Sequence, residues 1–398
     1  MSYLDHQGAG NGAAARWVGV GRSSASDARA AGSAAIGSAL VGPDPKLVVV
    51  FCSGAYELPE LLAGIRAVSQ APLIGCSTSG EITRDGPGDE GVVVTVFGGD
   101  DFSVRTSMAR GISERLRVSG ADVAQAASSV AQKEHSVLML LSDPLAGDQQ
   151  EILRGAYRVL GAAVPLVGGC AGDDMKMQST AQLYEDQVLT DAVVAAAISS
   201  SAPIGIGVHH GWRRVGDPML VSSSSNNRVF TLDDEPALDR YLELLDAPKE
   251  VREDSAAFTR FAMTHPLGLN RRSGEAHVRL IAEADFEDRS LGCIAEVPQG
   301  GLAWLMEGDH ASVMDATDAA CTDALQALQG QPPLGVVAFD CIARRGVLGD
   351  EGIRDEVDRI ASHAGPAPLA GFYTYGEIAR TSGIGGFHNQ TLVVLAVA

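Results

Sequence analysis

The C-terminal part of the chain carries a guanidinium, a carboxylate and two phenols at a spacing that suits the binding of a small zwitterion. Tyr373 and Tyr375 alternate with a threonine, so in a strand both phenols lie on one face, and Glu377 follows them. Arg344 comes shortly after an apolar run of strand length. A guanidinium binds a carboxylate with two parallel hydrogen bonds, and a glutamate accepts from an ammonium. These residues predict a ligand pocket for an amino acid, with a buried Glu377–Arg344 pair and no ligand as the alternative.

A cysteine and a histidine in the same region raise the question of catalysis. Cys341 ends the apolar run before Arg344, and His388 and Asn389 fall in a polar turn before the last apolar run. A guanidinium and an imidazole could together activate a thiol. However, no nucleophile elbow surrounds Cys341, and a cysteine at the end of an apolar strand usually packs in the core. We predict that all three contact a ligand and that no residue is catalytic; a cysteine-dependent enzyme using Cys341 is an alternative.

The phrase Pro-Leu-x-Gly occurs three times, and each copy runs into a loop of small residues. The copies stand at 72–75, 165–168 and 368–371. Equivalent loops converge at one edge of a sheet, where open α/β folds bind ligands, so Ser77, Thr78 and Glu81 of the first loop join the candidate ligand-binding residues. The alternative is that small residues only let the chain turn tightly. Asp173 and Asp174 of the second loop cannot both face one side of a strand, and we predict no metal site.

The surroundings of the three copies repeat as well, which predicts the fold. An apolar run and a helical pattern precede each copy, and a second apolar run follows it. The alternation favours an α/β fold, with parallel pairing across the helix and antiparallel pairing across the loop. We predict two domains of layered mixed sheets covered by helices and built from repeated strand–helix–strand–loop–strand units. The predicted boundaries are an N-terminal extension at 1–45, a first α/β domain at 46–215 and a second at 216–398.

Composition excludes several classes of partner. Against 30 Lys and Arg the chain has 50 Asp and Glu, a net charge of −20, which argues against nucleic acids and anionic membranes as partners. The six cysteines form no CxxC pair or ladder of short spacings, so neither a zinc site nor a disulfide framework is predicted. The N-terminus lacks the basic and apolar regions of a signal peptide. We expect a cytoplasmic protein.

Several stretches of the sequence together resemble the FIST family. They are IGCSTSGEI at 74–82, DEPA at 234–237, FDCIAR at 339–344, GFYTYGEI at 371–378 and FHNQT at 387–391. The resemblance covers the chain from about residue 45 onward and identifies the two predicted domains as FIST N-terminal-like and FIST C-terminal-like. It implies a sensory module of signal transduction, mostly bacterial, that binds small ligands such as amino acids. It also implies a separate partner such as a histidine kinase, because the last strand ends at Ala398 and we expect no fused output domain.

Some members of the family bind haem and respond to nitric oxide, which gives an alternative function for this chain. A haem b group would need an axial ligand, and His265 is the first candidate because the following proline places it at a strand edge or turn. His209, His210 and His388 are further candidates. The absence of a CxxCH sequence excludes covalent attachment. Our leading expectation is a small-ligand sensor with no cofactor.

Overall fold

The structure, a computed structural model, describes residues 15–270, 277–381 and 385–398. It contains three units that have the same order of strands and helices. Unit one contains β1 (Trp17–Ser23), α1 (Ala28–Ala39), β2 (Pro45–Ser53), α2 (Leu58–Arg66), β3 (Leu73–Thr78), β4 (Glu81–Thr83), β5 (Gly86–Gly88) and β6 (Val92–Gly98). Unit two contains β7 (Ser103–Arg110), α3 (Leu116–Ser129), β8 (His135–Ser142), α4 (Gln149–Leu160), β9 (Leu166–Cys170), β10 (Gln182–Tyr184), β11 (Gln187–Leu189) and β12 (Ala192–Ser200). Unit three begins with β13 (Ile204–His209).

A second domain is inserted into unit three after β13. It contains β14 (Arg213–Ser225), β15 (Arg228–Leu232), β16 (Glu235–Pro236), α5 (Ala237–Leu244), α6 (Ser255–Ala262), β17 (Leu267–Leu269), β18 (His277–Arg279), β19 (Ile281–Ala284), β20 (Leu291–Cys293) and β21 (Leu302–Glu307). Its strands form one sheet in the order β18-β17-β21-β14-β15-β20-β19, with β16 on β15. Unit three then resumes with α7 (His310–Gln326), β22 (Gly335–Cys341), α8 (Ile342–Ala364), β23 (Leu369–Thr374), β24 (Glu377–Arg380), β25 (Phe387–His388) and β26 (Leu392–Val397).

Each unit builds its own sheet but gives its short hairpin to the sheet of another unit. The three sheets run β1-β6-β2-β3-β10-β11, β7-β12-β8-β9-β24-β25 and β13-β26-β22-β23-β4-β5. The pairs across the crossover helix, β2–β3, β8–β9 and β22–β23, are parallel, and the last strand of each unit returns antiparallel. The predicted fold, α/β with layered mixed sheets in two domains, is confirmed. The exchange of hairpins ties the three units into one core domain.

The glycine of the repeated phrase is explained by the parallel pair that it enters. A Cβ at Gly75 would stand 2.5 Å from the carbonyl oxygen of Val50 on the neighbouring strand. The equivalent distances are 1.9 Å at Gly168, to Leu140, and 2.3 Å at Gly371, to Ala338. No side chain tolerates such an approach, so each unit requires glycine where its second strand packs against its first.

The three sheets share a central core and carry their helices outside. Alternate residues of the strands point inward, and Phe51, Phe339 and Phe372 meet there with ring centroids 4.6 to 6.1 Å apart. The opposite faces pack on helix pairs, as β2 does on α1 and α2. Both faces of the sheets are therefore buried, which matches their nearly continuous apolar strands. No helix within the described ranges combines the length and apolar character needed to span a bilayer.

The domain limits in the structure differ from the predicted ones. The predicted extension at 1–45 contributes β1 and α1 to unit one, where β1 completes the sheet by pairing with β6. The predicted boundary at 215/216 falls inside β14, and unit three packs with units one and two rather than with the inserted domain. The change in sequence pattern after residue 200 indicated where the insertion begins. The pairing of unit three with strands distant in the chain leaves no local sequence pattern, so it was not predicted.

Candidate functional site

The loops that follow β3, β9 and β23 converge and interlock. The backbone N–H of Gly172 donates to the carbonyl of Ser77 at 2.9 Å, which joins the second loop to the first. Cys170 donates to Gly376 at 2.8 Å, and Tyr373 donates to Gly80 at 2.9 Å. The hairpin exchange causes this closure, because each loop leads its chain from one sheet into another.

A cleft of about 240 Å³ lies between these loops and the inserted domain; we call it the junction cleft. The core domain lines it with Met175, Met177, Cys341, Ile342, Ala343, Tyr375 and Asn389. The inserted domain lines it with Thr259, Met263, Leu280, Ile281, Ala282 and Ile294. Three of the predicted ligand-binding residues, Cys341, Tyr375 and Asn389, are thus brought to one cavity, whose walls are otherwise mainly apolar.

The loop carrying Met175 and Met177 is held in an uncommon backbone conformation. Asp174, Met175 and Met177 have φ angles of 57°, 63° and 51°. Tyr375 donates its hydroxyl to Asp173 at 2.6 Å, and Asp173 also accepts backbone N–H groups from residues 177 to 179. Burial alone would raise the pKa of Asp173, but these hydrogen bonds outweigh it and hold that pKa below its usual value. Asp173 therefore fixes the two methionines at the cleft, a role that sequence reasoning missed because it weighed Asp173 only as half of a carboxylate pair for acid/base chemistry or metal binding.

Arg344 lies elsewhere, in a fully buried charge cluster. Its Nε is 2.8 Å from Asp340 Oδ1, and its Nη2 contacts the carboxylate of Glu356 and, at 2.9 Å, the hydroxyl of Thr317. Burial raises the pKa of Asp340 well above its usual value, and the nearby Glu356 raises it further. Asp340 is only four residues before Arg344 in the sequence, but Glu356 is twelve residues after it. Arg344 is occupied by protein carboxyls and does not reach the junction cleft.

Tyr373 and Glu377 are also internal to the core. Tyr373 is fully buried, its hydroxyl has no hydrogen-bond partner in the described part of the chain, and the guanidinium of Arg345 lies 5.5 Å from its ring centre. Glu377 accepts from the hydroxyl of Thr374 and, at 3.1 Å, from the N–H of Thr391. Burial raises the pKa of Glu377 to about 8.

The residues predicted from the first loop are bonded to neighbouring protein groups. Ser77 donates to the carbonyl of Gly172 at 2.8 Å, and Thr78 donates to Glu81 at 2.6 Å. Glu81 also accepts the N–H of Gly91 at 3.1 Å, and burial raises its pKa to about 8. Glu81 opens β4 as Glu377 opens β24, so units one and three repeat the same Thr–Glu contact.

Unit two has a neutral residue where the other units have this buried acid. Gln182 opens β10, is fully buried and donates to the hydroxyl of Thr180 at 3.3 Å. A glutamine presents a donor group and an acceptor oxygen without a net charge, as a protonated glutamic acid does. The comparison supports a structural, uncharged role for Glu81 and Glu377.

His388 and Asn389 differ in their surroundings. The Nε2 of His388 is 3.0 Å from the carbonyl of Ala379, and its ring stacks on His277 with centroids 5.6 Å apart. Asn389 is only 2% exposed, yet its side-chain oxygen has no hydrogen-bond partner among the described residues. An unpaired buried oxygen is costly, so the Asn389 amide is the polar group of the junction cleft most in need of a ligand.

The surroundings of Cys341 do not suit a nucleophile. Burial raises the pKa of its thiol well above the ordinary value, and the nearby carboxyl of Glu377 adds to this. The proposed base, His388, is engaged with Ala379. Within the described ranges there is also no group of three or more side chains that could hold a metal ion.

The thiols give a direct test of this reading. All six cysteines are buried and free, so the native protein is expected to react slowly with a disulfide reagent such as DTNB and to release six equivalents after denaturation. The absorbance of the released thiolate measures both the rate of the native reaction and the number of reactive thiols after denaturation. Rapid native labelling that peptide mapping assigns to Cys341 would contradict this expectation and favour the enzyme alternative.

Haem does not fit the residues that line the junction cleft. No histidine is among the residues lining the junction cleft. His265 stacks on Phe261 with centroids 4.2 Å apart, and its Nδ1 is 2.9 Å from both the Phe261 carbonyl and the Thr264 hydroxyl. The candidate axial ligand is therefore packed against its own helix rather than beside the cavity.

Known proteins with similar sequences cover nearly the whole chain. Residues 46–235 match the FIST N domain and residues 237–380 match the FIST C domain. An uncharacterized protein of Mycobacterium tuberculosis, Rv0628c, is 26% identical over 393 residues, which are 94% of this chain and 97% of that protein. An uncharacterized protein of Methanocaldococcus jannaschii, MJ1623, is 24% identical over 283 residues, 66% of this chain and 54% of that protein. The two matched domains meet at β16, inside the inserted domain.

Proposed function

The chain belongs to the FIST family, whose domains are associated with sensory signal transduction, and from this we propose that it is a sensor that binds a small molecule in the junction cleft. The observation that carries the proposal is the cleft of about 240 Å³ between the interlocked loops and the inserted domain. Ligand sites are concave, largely apolar and commonly placed at domain interfaces. The expected ligand is a small, mainly apolar molecule.

The chemistry of the cleft wall supports that choice of ligand. Among the described residues that line it, none carries a charge, and three are methionines, Met175, Met177 and Met263. Methionine side chains adapt to ligands of different shapes. Asn389 supplies the unpaired polar atom, so a ligand with one hydrogen-bond donor beside an apolar body is favoured. An amino acid would place two charges there without a countercharge, which costs several kcal/mol.

A chain of hydrogen bonds next to the cleft suggests how binding would reach the domain junction. Gln390, beside Asn389, donates its side-chain amide to the carbonyl of Met263 in the inserted domain. Its own carbonyl accepts from the indole of Trp212, at 3.0 Å. Trp212 is buried in the segment that enters the inserted domain, against Gly308 in the segment that leaves it. A ligand that binds one arrangement of the two domains more tightly would shift their population toward it.

We further propose that the protein acts in the cytoplasm on a separate partner such as a histidine kinase. The six unpaired cysteines suit a reducing compartment. The partner rests on the family's association with signal transduction.

A blocking variant tests the proposed function. Ala282 is exposed at the cleft wall, so Ala282→Trp should fill the cavity without disturbing the core. Ligand-observed NMR with a library of small apolar compounds is expected to find binders of the native protein that Ala282→Trp no longer binds. Val68→Trp, at an exposed position remote in sequence from the cleft, is the matched control and should keep them. No binders, or binders insensitive to Ala282→Trp, would refute the proposal.

A further inference from the structure

A second cleft between the two domains has a different chemistry. It has a volume of about 250 Å³ and lies between α4 of the core domain and the strands β17 and β18 of the inserted domain. We call it the arginine cleft, because Arg154 and Arg279 line it. Leu280, the residue after Arg279, lines the junction cleft instead, so the two clefts lie on either side of this strand segment.

Arg279 is a buried cation without a carboxylate partner. The residue is only 8% exposed, and no ion pair joins it to a carboxylate among the described residues. Its Nε donates to the carbonyl of Glu296 at 3.0 Å and its Nη1 to the carbonyl of Val278 at 3.1 Å. A guanidinium has five N–H donors, so these two bonds orient the group and leave donors at the cleft. Burial lowers the pKa of Arg279, and the nearby carboxyl groups of Asp148 and Glu296, which form no ion pair with it, offset this only in part.

Arg344 is a buried arginine with a structural role, and its surroundings can be compared with those of Arg279. Arg344 is fully buried and lies against two carboxyl groups. A buried charge without a partner costs several kcal/mol. Arg279 therefore has no carboxylate in direct contact among the described residues, and an anionic ligand would supply one.

The other charges near the arginine cleft are mixed. Arg154 adds a second guanidinium, but it pairs with Glu151 as well as with Glu296, whose carboxylate is 3.3 Å from its Nη2. His277 and Glu296 line the cleft, and Asp148 also acts electrostatically on Arg279. Arg279, which no carboxylate contacts among the described residues, is therefore the group at this cleft that favours an anion.

We propose that the arginine cleft binds a small organic carboxylate through the guanidinium of Arg279. The planar guanidinium fork matches a carboxylate with two parallel hydrogen bonds. Leu269, Ala295 and Leu302 provide an apolar wall for the rest of the molecule. The cavity has the volume of about eight water molecules, which suits a ligand the size of benzoate. This site is separate from the junction cleft and does not depend on the function proposed for it.

Calorimetric titration of the full chain with benzoate tests the proposal. Benzoate is expected to bind, whereas the isosteric neutral benzamide should bind at least tenfold more weakly and benzylamine not at all. Arg279→Met keeps the length of the side chain without its charge and should abolish benzoate binding. Arg154→Met, at a partly exposed position, should weaken binding several-fold. Arg29→Met removes an exposed arginine on α1 and is the matched control, expected to leave binding unchanged.

The outcomes separate the alternatives. Circular dichroism and thermal unfolding establish that Arg279→Met is folded, and Arg154→Met provides the test if it is not. Benzoate binding that survives both variants, or no benzoate binding, would overturn the proposal. Binding of inorganic phosphate but not benzoate, lost in Arg279→Met, would overturn the assignment to organic carboxylates. Ala282→Trp should leave benzoate binding intact; its loss in that variant would show that the ligand lies in the junction cleft instead.

Discussion

Replacing Arg344 by alanine is expected to lower the free energy of unfolding by about 3–5 kcal/mol, because it leaves two carboxyl groups buried without their cation. Arg344 lies between Asp340 and Glu356, and all three side chains are essentially inaccessible to solvent. Urea unfolding followed by circular dichroism measures the change. The double variant Arg344→Met with Glu356→Gln should cost less than Arg344→Ala, since it removes a carboxylate along with the cation.

The neighbouring arginine provides the control. Arg345 is partly exposed and pairs with the exposed Asp89, so Arg345→Ala should cost no more than about 1 kcal/mol. The free energy of unfolding of Arg344→Ala could instead differ from that of the native protein by less than about 1 kcal/mol, which is as much as an exposed ion pair contributes. In that case the buried carboxyl groups do not hold Arg344 in place. Arg344 would then again be a candidate for the ligand-binding role predicted from sequence.

Replacing Glu377 by glutamine is expected to change the dependence of stability on pH. Burial raises the pKa of Glu377 to about 8, whereas a glutamate in the unfolded chain titrates near its ordinary value of about 4.3. Between these values the native state holds a proton that the unfolded chain has lost, so stability falls as pH rises through this window. Glu377→Gln removes that loss while keeping an acceptor oxygen for the N–H of Thr391. The variant should therefore gain stability relative to the native protein from pH 5 to pH 8, as measured by urea unfolding.

The converse substitution in unit two is the matched control. Gln182→Glu places an acid at the equivalent buried position, and the variant should lose stability relative to the native protein over the same pH range. A stability difference for Glu377→Gln that stays constant from pH 5 to pH 8 would show that Glu377 is ionised in the folded protein.

The sequence predicted the units of this fold well because their signals are local. A β-branched apolar run predicts a buried strand from its own residues, and the helical stripes likewise need no knowledge of the partner. The hairpins were different. The residues of β4, β10 and β24 carry no mark of which sheet they join, since exchange with another unit uses the same backbone hydrogen bonds as pairing within one.

The candidate site was predicted only in part, for the same reason. Cys341, Tyr375 and Asn389, which the sequence analysis named as candidate ligand contacts, lie at one cleft in the structure. Arg344 was assigned to a ligand because it follows the strand of the unit that carries Glu377, and no local pattern shows that Glu356, twelve residues further along α8, contacts it. Arg279 was missed, because its burial away from any ion-pair partner among the described residues results from tertiary packing and leaves no local pattern in the sequence.

The sequence by itself determined the repeated unit, the α/β class and the family. The tertiary structure alone decided which unit receives each hairpin, why each repeat needs glycine where its strands pair, where the inserted domain meets the core, and which of the buried charges have partners. The physical reason is one of range. Strand propensity and helical periodicity act between residues close in the chain, whereas clefts, ion pairs and the close approach of paired strands arise between segments that only folding brings together.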